Sequence, residues 1–202
     1  MEDRRRTRLP GEKKSLHAAE RDTEANRLRR QAFVERLQTI SADRLVFLDE
    51  SGVSTQMTRR YGRARRGVRV SESTPEGNWK MLTIIGAMSV RGLIATMTVE
   101  AATDAEIFLA SLDHVLCPAL RPGNVVIMDN LSSHKVAGVR ERIEAAGAEL
   151  LYLPPYSPDL NTIEKAWAKL KQQLRSAMAR TNEALDHAIE QLIPTIRTQD
   201  AA

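Results

Sequence analysis

The chain has 202 residues, enough for one ordinary domain with a substantial core and too few for two comfortable ones. Its formal charge of +4 is modest, so the total alone says little about a polyanionic partner. A single cysteine, Cys117, excludes an internal disulfide and fits a reducing cytoplasm. No apolar run approaches the ~18 residues of a membrane span, and the charged start has no apolar signal segment, so neither secretion nor a membrane span is expected.

Residues 1 to about 15 carry charge, Pro10 and Gly11 without periodicity, and read as a linker or arm with a basic run, "RRRTR", at 4–8. The pattern turns helical over 18–37, with Ala25, Leu28, Ala32 and Leu37 on one side, which makes a peripheral helix. "RLVFLD" then reads as a short buried strand that closes on Asp49. A polar loop follows, up to Asn78, with short strand pieces expected around Val68 and Val70. Within it, "RRYGRARRGVR" at 59–69 holds six arginines and no acid, with Tyr61 among them. A solvated loop is one reading. Contact with phosphate is the other, because planar guanidinium groups pair with phosphate oxygens, and Arg59, Arg60, Arg63, Arg65 and Arg66 are its candidates.

"WKMLTIIGAMSV" and "GLIATMTVE" read as two strands of a hairpin turning at Arg91 and Gly92. Thr103, with Glu106 three residues on, has the pattern of a capping box. Ile107, Phe108, Leu112 and Val115 give that helix its inward stripe, and Pro118 and Pro122 end it. "NVVIMD" is the next buried strand, "HKVAGVRERIEAAG" a helix ending near Gly147, and "ELLYLP" a further strand. The order is β-β-β-α-β-α-β. "PPYSPDLN" turns the chain into a helix over about 160–178, whose Ile163, Ala166, Trp167, Leu170, Leu174 and Met178 share one face, and a last helix covers about 181–196. Cys117 is expected to be a small buried hydrophobe.

Two buried strands therefore stop on carboxylates, Asp49 and Asp129. A helical crossover lets such strands run parallel, which aligns their C-terminal ends at one sheet edge, where open α/β sheets bind ligands. If the two strands are neighbours, the carboxylates face one another across about 5 Å. Like charges that close repel unless a cation sits between them. Carboxylate oxygens suit Mg²⁺ or Mn²⁺, and no Cys/His cluster favours zinc. Glu164, in the first turn of its helix, offers a third acid at the positive end of a helix dipole. Taken singly, each of these residues also fits an ordinary role as turn former or cap. Asn130 and His134, just past the second acid, fit either the near-site orientation of a phosphate or water, or ordinary turn and cap roles.

"FLDESG", "YGRARRG", "VVIMDNLSSHK", "LYLPPYSPDLNTIE" and the following "KLK" resemble, in order, the motifs of the catalytic domain of DDE transposases in the mariner-related superfamily, in its bacterial insertion-sequence branch. The 34 residues between Asp129 and Glu164 are similar to that superfamily's spacing of its second and third acids. The resemblance covers about residues 45–175. It implies an α/β, ribonuclease H-like fold, a mixed five-stranded sheet flanked by helices, with Asp49, Asp129 and Glu164 as catalytic acids holding two Mg²⁺ or Mn²⁺ ions. It also implies cleavage and transfer of double-stranded DNA at element ends and target, a homodimer on that DNA, and a bacterial, cytoplasmic, nucleoid-associated setting.

On this reading residues 1–40 are an N-terminal arm and linker helix, 41–180 the catalytic domain and 181–202 a C-terminal helix and tail. The stretch before Leu45 leaves no room for the helix-turn-helix modules that usually precede such domains, so a separately encoded module is an expected partner. Thr162 stands where the family pattern has proline in "NPIE", a substitution the first helical turn tolerates. The competing readings are a non-catalytic DNA-binding remnant, which the intact acids disfavour, and a host ribonuclease H-like nuclease, which gives no reason for "YSPDLNTIE".

Overall fold

One long strand organises the sheet, with a hairpin on one side and two parallel strands on the other. In the computed structural model, which describes residues 17–59, 61–74, 79–100 and 102–200, the strands are β1 (Leu45–Ser54), β2 (Met81–Ser89), β3 (Gly92–Val99), β4 (Val125–Met128) and β5 (Glu149–Tyr152). Their order is β3-β2-β1-β4-β5. β1 pairs antiparallel with β2, and β2 with β3, whereas the β1–β4 and β4–β5 pairs are parallel. The expected N-terminal arm lies outside the described residues.

Alternation along the strands sorts side chains into two layers. Phe47, Val53, Leu82, Ile84, Met88, Val125 and Ile127 face one apolar cluster, under α1 (Glu24–Gln38), α5 (Ile163–Ala177) and α6 (Asn182–Leu192). Val46, Leu48, Ile85, Ala87, Val126 and Met128 face the other, under α2 (Ala105–Ser111), α3 (Cys117–Ala119) and α4 (Val139–Ala145). A π-helical turn, Leu112–Leu116, joins α2 to α3, just ahead of Pro118, whose ring nitrogen has no hydrogen to donate to the preceding turn. Cys117 is half-buried, with Sγ against the Arg142 carbonyl.

Several local expectations are corrected. β1 does not end at Asp49: it continues to Ser54 because β2 pairs with it from Phe47 to Ser54, while β4 accompanies it only from Leu45 to Phe47. Val68 and Val70 form no strand and lie exposed, since β-branched residues without a partner strand gain nothing from extension. The cap of α2 is Asp104, not Thr103, its side chain accepting from the Ile107 N–H at 2.9 Å. In α1 the buried residues are Asn26 and Phe33, while Leu28 is 60% exposed. Phe33 carries more apolar area than the alanines of the expected stripe, so it takes the inward position.

The α5 stripe is as expected through Ile163, Ala166, Trp167, Leu170 and Leu174, all buried. It stops there, because Met178 takes a left-handed conformation (φ 52°) and turns 40% exposed. No helix among the described residues is long and apolar enough to cross a membrane.

Gly86 of β2 sits opposite Asp49 of β1. A Cβ at 86 would lie 2.5 Å from Cη2 and 2.9 Å from Cζ2 of Trp167, so the missing side chain is what admits the indole against the sheet. Gly86→Ala is expected to cost about 1–3 kcal/mol through overpacking. Denaturant titration checks this, and a midpoint equal to that of the parent would mean that the ring moves aside freely.

Candidate active site at the sheet rim

The parallel β1–β4 register pairs Leu45 with Val125, Val46 with Val126 and Phe47 with Ile127. Carried on two residues, the same offset sets Asp49 level with Asp129, which lies just beyond the last residue of β4. Asp49 shares its strand face with Phe47 and Val53, the face covered by α5. Glu164 is the second residue of α5 and is exposed, one turn before the buried Trp167. The turn at 154–161 leads into this helix, with Thr162 at its N-cap position.

Convergence of the three acids registers at Asp49. Burial first, then the negative charges of Glu164 and Asp129, push its carboxyl up to about 7, against a lowering by a backbone hydrogen bond. The charges acting most strongly on it, those of Glu164 and Asp129, are both negative. The Trp167 indole N–H is buried without a hydrogen bond of ordinary geometry, and lies near enough to the Asp49 carboxyl to oppose that rise.

Asp129 is held differently. Its Oδ1 accepts from the Leu131 N–H at 3.0 Å and from His134 Nδ1 at 2.5 Å. Burial raises its pKa, but these two bonds outweigh burial and leave the carboxyl below its usual range. Both of these bonds fall on the same oxygen.

His134 is 1% exposed, stacks on Phe108 at 4.3 Å between ring centroids, and meets Glu50 Oε1 through Nε2 at 3.2 Å. Burial pulls its pKa down, yet the bonds to Asp129 and Glu50 carry it up to about 9, so both ring nitrogens donate and the imidazolium bridges two carboxylates. Tyr152 fixes the backbone here by donating its hydroxyl to the His134 carbonyl at 2.7 Å.

Glu50 was missed from the sequence. It follows Asp49 and so points to the opposite face of β1, and only the 84-residue contact with His134 reveals its role. Asn130 turns away from the rim and donates to the Leu153 carbonyl, tying β4 to the chain after β5. Of the arginine candidates, Arg60 lies outside the described residues, and Arg59, Arg63, Arg65 and Arg66 are exposed. Arg59 reaches the Ser176 carbonyl at 3.5 Å.

Among the described residues no group of three His, Cys, Asp or Glu side chains is already arranged to hold a metal ion. The donor set nonetheless fits a hard divalent cation: three carboxylates on one rim, one of them with its pKa pushed up to about 7 by its burial and its neighbours. Asp49, Asp129 and Glu164 are the residues that would hold it.

The raised pKa values have a sign in stability. Asp49 ionises at its ordinary 3.8 when unfolded and near 7 when folded, so its contribution is whole below about 4 and is lost as the pH climbs through 7. His134 continues the trend: its contribution is whole below 6.5 and is lost as the pH passes 9. Asp129, shifted downward, loses its contribution only in acid. In metal-free buffer the thermal midpoint should therefore fall between about pH 5 and 7.5, less so in Asp49→Asn. Mg²⁺ at pH 7.5 should raise the midpoint of the parent and not that of the variant. Parallel curves for the two proteins would show that Asp49 is not under this electrostatic load.

The family model described as DDE superfamily endonuclease matches residues 44–186. A comparison with curated proteins found no match. Among solved structures, the Mos1 transposase paired-end complex with left transposon end superposes with a TM-score of 0.76 at 18% identity, covering 96% of this chain and 62% of that one. The Mos1 mariner paired end complex with Mn gives 0.73 at 19% identity, covering 96% and 61%. The catalytic domain of Mos1 mariner transposase gives 0.67 at 17%, covering 92% and 87%. The chain thus spans less than two thirds of the longer transposase chains it resembles and most of the isolated catalytic domain, and the shared fold is ribonuclease H-like. Because the matched region runs from the start of β1 into α6 and contains all three acids, the chain belongs to the DDE superfamily endonuclease family.

Proposed function

We propose that this chain is the catalytic domain of a transposase, which hydrolyses phosphodiesters of double-stranded DNA and transfers the freed strand end when an insertion element moves. The observation that carries the reading is the electrostatic meeting of Asp49, Asp129 and Glu164 at one sheet rim. Family membership and the likeness to transposase structures, one of them with Mn, support it. Residues 41–180 are read as the catalytic unit, residues 1–40 as arm and linker helix, and residues 181–202 as C-terminal helix and tail. Double-stranded DNA, a second copy of the chain and a separately encoded helix-turn-helix module are the proposed partners, in a bacterial cytoplasm at the nucleoid.

Two Mg²⁺ or Mn²⁺ ions, when bound, would supply Lewis acidity for activating the attacking oxygen and stabilising the leaving one. The chain's own residues do the rest. Asp49, within a ten-residue strand, and Asp129, just beyond the end of the neighbouring parallel strand, present their carboxylates at the same rim. Glu164 closes the group from α5. His134 donates to Asp129 Oδ1 and so holds the carboxylate in place, and Glu50 keeps the imidazole charged and oriented. Asn130 serves the fold, and the exposed arginines supply positive charge for the DNA backbone.

Incubation of supercoiled plasmid with protein and Mn²⁺ should give nicked and linear DNA. Asp49→Asn, Asp129→Asn and Glu164→Gln should each abolish it. Equal nicking by parent and variants would identify a contaminant, and none by any of them would favour a non-catalytic remnant. His134→Ala should retain the products but lower the rate about 10–100-fold, with a matching rise in the Mn²⁺ concentration needed.

A further inference from the structure

The outer face of α5 leads away from the candidate acids to a second, basic feature. Glu164, Ala168, Gln172 and Ser176 follow one another at four-residue steps, and all are exposed. At the far end, Arg175 and this face meet Arg59 and Tyr61 across an open cleft of about 430 Å³, a volume in the range of ligand sites. Among the described residues no acid lines it, and Ala168 contributes only a methyl group to its wall.

The cleft is braced. Arg180 donates to the carbonyls of Thr55 at 3.1 Å and Met57 at 3.2 Å, and Arg59 to that of Ser176 at 3.5 Å, so the root of the arginine-rich loop is tied to the C-terminal end of α5. Tyr61 is 91% exposed beside it. A tyrosine so exposed buries little apolar area in the fold and presents its ring to a sugar or base.

The spacing fits a DNA strand. Arg175 lies eleven positions after Glu164, which at ~1.5 Å per residue is about 16 Å along the helix. At ~3.4 Å of rise per nucleotide of one strand, that is about five steps. We propose that this cleft seats a single backbone phosphate about five nucleotides from the phosphodiester under attack, gripped between Arg59 and Arg175. Arg175 then acts as a positioning residue that sets where along the strand Glu164 meets its phosphate. The assignment rests on the transposase reading for its substrate and adds to it a defined subsite and a residue that the arginine-rich motif does not contain.

The test uses the full chain and a fluorescein-labelled duplex, titrated by anisotropy over a range of salt, with Arg59→Ala, Arg175→Ala, their double variant, Arg175→Lys, and Arg140→Ala as a charge-matched control on α4. One shared phosphate predicts about tenfold weaker binding for each single variant at low salt. Each should also lower the salt slope by about 0.9, and the double variant should lower it no further. Arg175→Lys should keep the slope. Nick positions mapped on plasmid should scatter for Arg175→Ala and stay sharp for Arg140→Ala.

Affinity, slope and nick positions in Arg175→Ala equal to those of Arg140→Ala would overturn the assignment. So would slope losses that add in the double variant, because they would mean two separate phosphates. If the parent binds DNA with these salt slopes but does not nick it, the subsite stands and the catalytic reading fails. Nicking by the parent with an unaffected Arg175→Ala fails the subsite alone. Circular dichroism on each variant separates loss of contact from loss of fold.

Discussion

Carboxylates on one rim repel each other, and the architecture is arranged so that this repulsion is sustained rather than relieved. Asp49 is embedded in the central strand, with paired residues on both sides of it along β2, so it cannot swing away from Asp129 without breaking the ladder. Asp129 is free of the ladder but is caught by His134. The protein pairs one acid with a buried cation from its own chain, whereas the charges acting most on the other are negative. That asymmetry gives the pair two different proton affinities, with Asp49 carrying the electrostatic strain that an external divalent charge relieves.

Alternation along β1 ties this site to the core. The face that carries Asp49 is also the face on which Phe47 and Val53 pack beneath α5, and the opposite face sends Glu50 to His134. Neighbouring acids in the sequence therefore serve different layers, one presenting itself at the rim and the other steadying the ring that steadies Asp129. Trp167 ties the rim to the first of these layers, since it fills the space left by Gly86 and belongs to the same helix as Glu164.

The legible part of the fold was the part written in local pattern. The apolar runs of β1, β2, β4 and β5, the stripe of α5 and the punctuation at Gly147 needed no tertiary information, and the motif order carried the family. What stayed hidden depends on contacts distant in sequence. The continuation of β1 past Asp49 through polar and glycine residues is imposed by β2, and the inward turn of Phe33 by the sheet beneath it. The roles of Glu50, Gly86 and Asn130 likewise appear only when a partner some 23 to 84 residues away is in place. Even the choice of Asp104 over Thr103 as cap is made by which side chain reaches the Ile107 N–H.

One ion-pair cluster connects regions that the family match separates. Arg30 of α1 grips Asp159 through both guanidinium nitrogens, at 3.1 and 2.7 Å, and Arg21 joins it at 3.1 Å. Asp159 sits in the turn that launches α5 and thus presents Glu164. Arg30 is 16% exposed, so this forked pair is better shielded from water than a typical surface bridge. A polypeptide begun at residue 44, where the match starts, would keep every acid yet leave Asp159 without either arginine. The boundary drawn by motif similarity is accordingly narrower than the unit that mechanically supports the site.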